Sequence, residues 1–149
     1  MTMAPPGHRT DTPGSVTIGR TSDLAARLLG VALLATSAYT HFHLARLYDI
    51  GPPITTGQLF IAQGVVTSVV AVWLLVRGST AAWVVATLVM AASAAAVVAS
   101  VRLQIPAIGP FPTIYEPVWY PEKVVSAVAE GAFVVLALVR AGVVMLTRS

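Results

Sequence analysis

Four long runs of apolar residues restrict the fold of this chain more than any other feature. They cover residues 24–44, 58–76, 81–101 and 122–146. A helix of about 20 apolar residues crosses the hydrocarbon layer of a membrane. The runs are continuously apolar, not alternating, and they are too long for strands. Because lipid accepts only a backbone whose hydrogen bonds are satisfied internally, the sequence predicts an all-α integral membrane protein, an antiparallel bundle of four transmembrane helices.

Composition argues against several classes of protein. Of the 149 residues, 56% are hydrophobic and 10% are charged, whereas a soluble domain carries about 25% charged residues. A water-soluble globule of this size cannot bury so much apolar surface, which argues against a soluble enzyme and against a nucleic-acid partner. Cysteine is absent from the sequence, which excludes disulfides, thiolate metal sites and iron–sulfur clusters in this chain.

The basic residues indicate how the helices are oriented. With the amino terminus inside, six of them lie on the cytoplasmic side and three on the outer side. Cytoplasmic loops of membrane proteins carry an excess of Lys and Arg, so the sequence predicts a multi-pass plasma-membrane protein with both termini in the cytoplasm. The cytoplasmic set is Arg9, Arg20, Arg27, Arg77, Arg140 and Arg148, and the outer set is Arg46, Arg102 and Lys123.

Residues 1–22 differ from the rest of the chain, because Pro, Gly, Thr and Ser dominate them. This composition predicts a disordered cytoplasmic tail before a membrane domain of residues 23–149. The Thr-Ser-Asp sequence at 21–23 supplies cap residues for the first helix. A cleavable signal peptide with an apolar core at 28–34 is the alternative. The long preceding segment and the continuation of the helix to Leu44 argue against cleavage.

Turn signals mark the segments between the predicted helices. The sequence T-T-G-Q at 55–58 is a capping box for the second helix, and Pro121 suits the first turn of the fourth. Five prolines between 103 and 121 predict an ordered loop without helix. The pattern I-G-P-x-x-T occurs at both 50–55 and 108–113. It indicates either an old duplication that produced two hairpin repeats, or two unrelated turns that both need Gly and Pro.

Glu130 is the most informative polar residue, because a carboxyl group about two turns inside a transmembrane helix is energetically expensive. Glu122, Ser126 and Glu130 recur every four residues, so they share one helix face, which should point into the bundle. The group is either a proton-linked or cation-binding carboxylate, or a neutral acid hydrogen-bonded within the core. The sequence predicts a candidate pocket in the outer half of the membrane, formed by Glu130, His41, Gln63, Ser126, Glu116 and Trp119.

The histidines argue against a metal or haem site. His41 and His43 are two residues apart, so their side chains point to nearly opposite faces of a helix. Two metal ligands on one helix prefer a spacing of three or four residues. We therefore predict no metal site and no resident cofactor, and leave a quinone or lipid ligand open. No catalytic motif is present either, and no catalytic residue is assigned.

Two further sets of residues have structural interpretations. Charged residues at the outer helix ends predict a rim of individually weak ion pairs, formed by Arg46, Asp49, Arg102, Glu116, Glu122 and Lys123. Ala91, Ala95 and Ala99 form a stripe of small residues that suits close helix packing. This stripe is either a contact within the monomer or a surface for a homodimer or another protein partner.

Short motifs around the first loop resemble those of small actinobacterial four-span membrane proteins of the DoxX-like group. They are Thr40-His41-Phe42-His43-Leu44, Ile50-Gly51-Pro52 and Gln58-Leu59-Phe60. The similarity in size and span count covers roughly residues 24–147. The resemblance implies a link to membrane redox and sulfur metabolism, sometimes as a subunit beside a soluble partner. It implies no catalytic residue in this chain.

The sequence favours a non-catalytic accessory or structural subunit that acts with a membrane or soluble partner, because the loops are short and catalytic motifs are missing. The alternative is a membrane protein that binds a small molecule, lipid or quinone in the pocket around Glu130, with or without proton coupling. A DoxX-like membrane redox component is the third interpretation. The sequence leans against an enzyme, and the partner that it identifies is the lipid bilayer.

Overall fold

Four α-helices are present in the computed structural model, which describes residues 13–48, 50–51 and 53–146. They are α1 (Pro13–Ala45), α2 (Thr56–Arg77), α3 (Thr80–Arg102) and α4 (Pro121–Leu146). Each contains a segment long and apolar enough to cross a membrane, which in α1 is Thr21–Ala45. The predicted all-α, multi-pass architecture is therefore confirmed. The choice of the plasma membrane and the cytoplasmic position of the termini stay predictions from the basic residues.

Each helix packs against the next one along the chain, and α4 closes the bundle against α1. The two longer connections, residues 46–55 and 103–120, meet at one end, which we call the loop end. There the backbone N–H of Ile54 donates to the carbonyl oxygen of Pro110 at 3.2 Å. At the opposite end, beside the turn of residues 77–80, Arg140 donates to Asp23 Oδ1 from Nε at 3.0 Å and from Nη2 at 2.8 Å. The two longer connections therefore lie at one end of the bundle and the short turn lies at the other, as an antiparallel bundle requires.

The apolar core lies in the half of the bundle away from the loop end. Leu34, Leu74, Met90 and Phe133 are fully buried there, and the rings of Trp83 and Phe133 stack with centroids 5.6 Å apart. The outer faces of the helices expose large apolar side chains instead of polar ones; Leu88, Val128 and Val135 are each more than 60% exposed. Soluble monomers rarely expose apolar patches of this extent, so these faces suit contact with lipid.

The helix ends confirm most of the predicted boundaries. Thr55 caps α2, with both hydrogen bonds of the capping box formed to Gln58. Gly78 ends α2 in the left-handed conformation with φ of 55°, and α4 begins at Pro121. The connection of residues 103–120 contains no helix and is ordered by paired hydrogen bonds between Ile105 and Ile114, at 3.2 and 3.0 Å.

The start of α1 differs from the prediction. The helix begins at Pro13, so residues 13–22 are helical and 21–23 lie inside α1 and do not cap it. The physical reason is that extending an existing helix adds one hydrogen bond for each residue fixed, and proline fits the first helical position. The rest of the predicted tail, residues 1–12, lies outside the described residues.

The repeated I-G-P-x-x-T pattern falls on both connections of the loop end. Gly51 and Gly109 both have positive φ, but at 148° and 58° their conformations differ. Glycine adopts positive φ at little cost, so both turns need it whether or not they share an ancestor. The duplication and the two hairpin repeats therefore stay a prediction.

Gly57 brings the start of α2 against the end of α1, and we expect Gly57→Ala to destabilise the protein. A Cβ atom at this position would lie 2.5 Å from the carbonyl oxygen of Ala45 and 3.0 Å from that of Tyr48. Both neighbours are backbone atoms, and the Gly57 N–H already donates to the Tyr48 oxygen at 2.9 Å. Overpacking of this kind costs about 1–3 kcal/mol.

Thermal unfolding in mild detergent measures this effect, and Gly131→Ala is the matched control. An added Cβ at Gly131 meets nothing within 4 Å, and alanine is the better helix former by about 1 kcal/mol. The control should keep or raise the midpoint, while Gly57→Ala lowers it. Equal midpoints for the two variants would contradict the close approach of α1 and α2.

Candidate functional site

Glu130 lies fully buried inside the bundle, and three hydroxyl groups donate to one of its carboxyl oxygens. Oε1 accepts hydrogen bonds from Ser37 Oγ at 2.9 Å, Ser93 Oγ at 2.7 Å and Ser126 Oγ at 2.8 Å. These serines belong to α1, α3 and α4 respectively. Glu130 therefore faces the interior, as its position in the apolar run predicts, and it joins three of the four helices.

The second carboxyl oxygen of Glu130 has a different environment. Oε2 is buried and has no hydrogen-bond partner among the described residues. Within that part of the chain no Lys, Arg or His nitrogen lies within 4.0 Å of the carboxyl group. Hydroxyl donors stabilise a carboxylate through charge-assisted hydrogen bonds. In its ionised form this carboxyl group would have no counter-ion among the described residues.

His41 lies one helical turn beyond Ser37, toward the loop end. Its Nδ1 is 2.8 Å from the carbonyl oxygen of Ser37. Because a carbonyl oxygen only accepts, Nδ1 carries the proton, and in the neutral ring Nε2 is left as an acceptor. The edge of the ring packs against Phe60, with centroids 5.6 Å apart. The exposed ring of His43 instead stacks on Tyr39 at 6.1 Å, so the two histidines point apart as their spacing predicts.

A cavity of about 490 Å³, which we call the loop-end cavity, lies between the serine cluster and the loop of residues 103–120. Its deep end is polar and contains His41, Gln63, Ser93 and Ser126. Its walls are mainly apolar and consist of Leu44, Leu59, Phe60, Ala92, Ala96, Val97 and Ile114. Its outer end contains Tyr48, Tyr115, Glu116, Tyr120 and Lys123. The cavity therefore combines an apolar body with a polar group at each end.

The outer end of the loop-end cavity is organised around Glu116. Tyr48 donates to its Oε1 at 2.6 Å, and Tyr120 donates to its Oε2 at 3.3 Å. Lys123 Nζ donates to the Glu116 carbonyl oxygen at 2.6 Å and lies 3.8 Å from Oε2. Burial, and then the hydrogen bond to Glu116, raises the pKa of Tyr48, and burial raises the pKa of Tyr120. Both phenols therefore stay protonated and act as donors to this carboxyl group.

The structure brings together most of the predicted pocket. His41, Gln63, Ser126 and Glu116 line the loop-end cavity, and Glu130 lies directly behind Ser126 and Ser93. Trp119 does not line it; this side chain is 49% exposed, with its ring centroid 6.0 Å from Lys123 Nζ. The reason is that the proline-rich loop turns Glu116 and Tyr120 inward and leaves Trp119 outside.

Of the predicted rim, Lys123 and Glu116 form an ion pair. Arg46, Arg102 and Glu122 have no ion pair within the described part of the chain. Asp49 lies outside the described residues. Ala95 is exposed on the surface of α3, and Ala91 and Ala99 are half-buried. The homodimer or partner surface on this stripe stays a prediction.

Sequence reasoning missed four residues of the site: Ser37, Ser93, Tyr48 and Tyr120. A signal was available for the first of them, because Ser37 precedes His41 by four residues, as Ser126 precedes Glu130. Ser93 lies among the small residues of α3, a composition that indicates helix packing and gives no signal of a polar site. In the structure, the described residues contain no group of three His, Asp or Glu side chains placed to hold a metal ion.

The chain was compared with known proteins at three levels. No family model, no curated protein and no solved structure matches it. The resemblance to the DoxX-like group therefore stays a prediction that depends on the short motifs alone.

Proposed function

We propose that this protein is a membrane protein that binds a small amphipathic molecule in the loop-end cavity. The observation that supports the proposal is the cavity itself, with its volume of about 490 Å³, apolar walls and polar deep end. Small-molecule sites are typically apolar clefts of about 300–1,000 Å³ with a few placed polar groups. The outer end adds the carboxyl group of Glu116 and the phenols of Tyr48 and Tyr120. These groups suit a ligand that is polar at more than one point.

Ligand binding in the loop-end cavity is favoured over the accessory-subunit function. The accessory function depends on short loops and on the alanine stripe, and neither feature requires a cavity lined by His41, Gln63 and Ser126. The DoxX-like redox function stays a proposal of lower rank, because it depends on the resemblance alone.

Filling the loop-end cavity should remove its ligand without changing the core. Ala96 lines the cavity from α3, so Ala96→Trp places an indole inside it. We expect wild-type protein, purified from native membranes in mild detergent, to carry a small molecule at close to one per chain. The variant should carry about tenfold less, which requires binding to weaken by more than about 1.4 kcal/mol, because the wild-type site starts near saturation. Mass spectrometry of the organic extract measures both amounts.

Val98→Trp is the matched control. Val98 lies on the same helix, is 54% exposed and does not line the cavity, so this variant should retain the molecule. Equal small-molecule content in all three proteins would contradict the proposal. A protein that copurifies in stoichiometric amount, with no small molecule present, would favour the accessory-subunit function instead.

A further inference from the structure

We propose that the loop-end cavity is selective for a small organic cation that carries N–H donors, such as a protonated primary amine. The inference rests on the proposed function, and it adds the chemical class of the ligand. The ammonium group would lie at the deep end, against Ser93, Ser126 and His41. The apolar body would lie along the cavity walls toward the loop end.

The serine hydroxyl protons at the deep end already form hydrogen bonds within the protein. A serine hydroxyl has one proton and two lone pairs. Ser93 and Ser126 both donate that proton to Glu130 Oε1, so they present only lone pairs to the cavity. His41 commits its Nδ1 proton to the Ser37 carbonyl, which leaves Nε2 as an acceptor in the neutral ring. These three groups therefore match a ligand that donates. Gln63, the fourth polar group there, gives one amide N–H to Thr67 Oγ1 at 3.4 Å and offers both a donor and an acceptor.

The buried carboxyl group behind the deep end favours a cation as the donor. A buried carboxylate without a paired charge is costly in a medium of low dielectric constant. Glu130 is fully buried, no Lys, Arg or His nitrogen of the described residues lies within 4.0 Å of it, and its Oε2 has no hydrogen-bond partner among them. His41 is separated from it by the Ser37 hydroxyl, which lies 3.5 Å from His41 Nδ1. The serine hydroxyls separate this carboxyl group from the cavity by one hydrogen bond. An ammonium group in contact with Ser93 and Ser126 would stabilise the ionised form of Glu130.

The outer end of the cavity should not attract the ammonium group away from the deep end. Lys123 and Glu116 are paired with each other at 3.8 Å, and Tyr48 and Tyr120 donate to the same carboxyl group. The opposite charges therefore largely cancel where the cavity meets the loop. Phe60 lines the wall near His41, and an aromatic ring at that position attracts a cation as well as an apolar body.

Four probes of similar size test the inference on the full-length protein in detergent. They are 2-phenylethylammonium, 2-phenylethyltrimethylammonium, 2-phenylethanol and phenylacetate, titrated at matched ionic strength by isothermal calorimetry. Heats measured with Ala96→Trp are subtracted to remove partition into micelles. We expect the primary ammonium to bind about tenfold more tightly than the alcohol or the carboxylate. The trimethylammonium should bind about threefold more weakly than the primary ammonium, because it keeps the charge and lacks N–H donors.

Two variants assign the selectivity to the deep end. Glu130→Gln keeps an acceptor oxygen for the three serines and removes the negative charge. Ser93→Ala removes one acceptor from the cavity and leaves two serines on Glu130. We expect each variant to weaken ammonium binding, by about tenfold and about threefold respectively. The neutral alcohol carries no charge, so its binding should weaken less than that of the ammonium in each variant, and its retained binding shows that the cavity is still folded.

Each outcome of the titrations has a defined meaning. Equal wild-type affinity for all four probes, lost in Ala96→Trp, would overturn the cation selectivity and leave the proposed function standing. Tightest binding of phenylacetate would overturn the inference by making Lys123 the dominant charge. Unchanged ammonium binding in Glu130→Gln would overturn the role of the buried carboxyl group. Identical heats for wild type and Ala96→Trp with every probe would also overturn the inference, while the extraction experiment still decides the proposed function.

Discussion

Replacing Glu130 with alanine is expected to lower the free energy of unfolding by about 2–4 kcal/mol. Three serine hydroxyls on three helices lose their shared acceptor, and the fully buried side chain leaves an empty space. A hydrogen bond contributes about 0.5–1.5 kcal/mol when its partner is neutral and about 1.5–3 kcal/mol when its partner is charged. Part of this loss is recovered, because a helical serine can turn its hydroxyl to the carbonyl oxygen four residues earlier.

Glu130→Gln is the matched control for the alanine variant. The amide oxygen can accept the same three hydroxyl hydrogen bonds, although neutral hydrogen bonds are roughly half as strong as charge-assisted ones. Glu130→Gln should therefore lower the free energy of unfolding less than Glu130→Ala does. Thermal or denaturant unfolding in mild detergent, followed by circular dichroism, measures both variants. An alanine variant as stable as wild type would mean that burying the carboxylate costs as much as its hydrogen bonds contribute.

Phe133→Ala is expected to have the largest effect on stability, a loss of about 3–5 kcal/mol. Phe133 is fully buried, its ring stacks on Trp83, and it packs beside Leu34 and Leu74. A Cβ added at Gly30 would lie 3.1 Å from the Phe133 ring, so α1 approaches this ring closely. Removing the ring would leave a cavity where α1, α3 and α4 meet, and the rigid helices cannot collapse to fill it.

Val135→Ala provides the comparison on the same helix. Val135 is 61% exposed on the outer face of α4, where lipid replaces the lost methyl contacts, so its unfolding midpoint should change little. Midpoints measured in one detergent give the difference between the two variants. A similar small change for both would contradict the position of Phe133 in the core.

Most of the fold could be predicted because its signals are local. The four apolar runs, the capping box at Thr55 and the proline at 121 each act within one helix or one turn, and the structure contains each of them. The start of α1 could not be located in this way. Extension of a helix past its apolar run depends on small propensity differences, which composition does not resolve.

The site was predicted only in part. Glu130 was identified because an acid within an apolar run has a high cost wherever it lies. Its partners Ser37 and Ser93 lie 93 and 37 residues away along the chain. Hydroxyl residues are common in transmembrane helices and give no sign of the helix that they will face. Trp119 was misplaced because a loop with several prolines gives no local indication of which side chains it turns inward.

The sequence alone determined that this protein crosses the membrane four times and that a carboxyl group is buried in the last helix. The reason is that lipid solvates neither a backbone with unsatisfied hydrogen bonds nor a charge. The length and hydropathy of each run are therefore sufficient to predict a helix that crosses the membrane and an acid that faces its interior. Only the tertiary structure decided that three serines converge on that carboxyl group and that a cavity opens above them. Those features depend on the rotation of each helix about its axis and on the path of the loop at residues 103–120. Both are set by side-chain packing between segments that are distant in sequence.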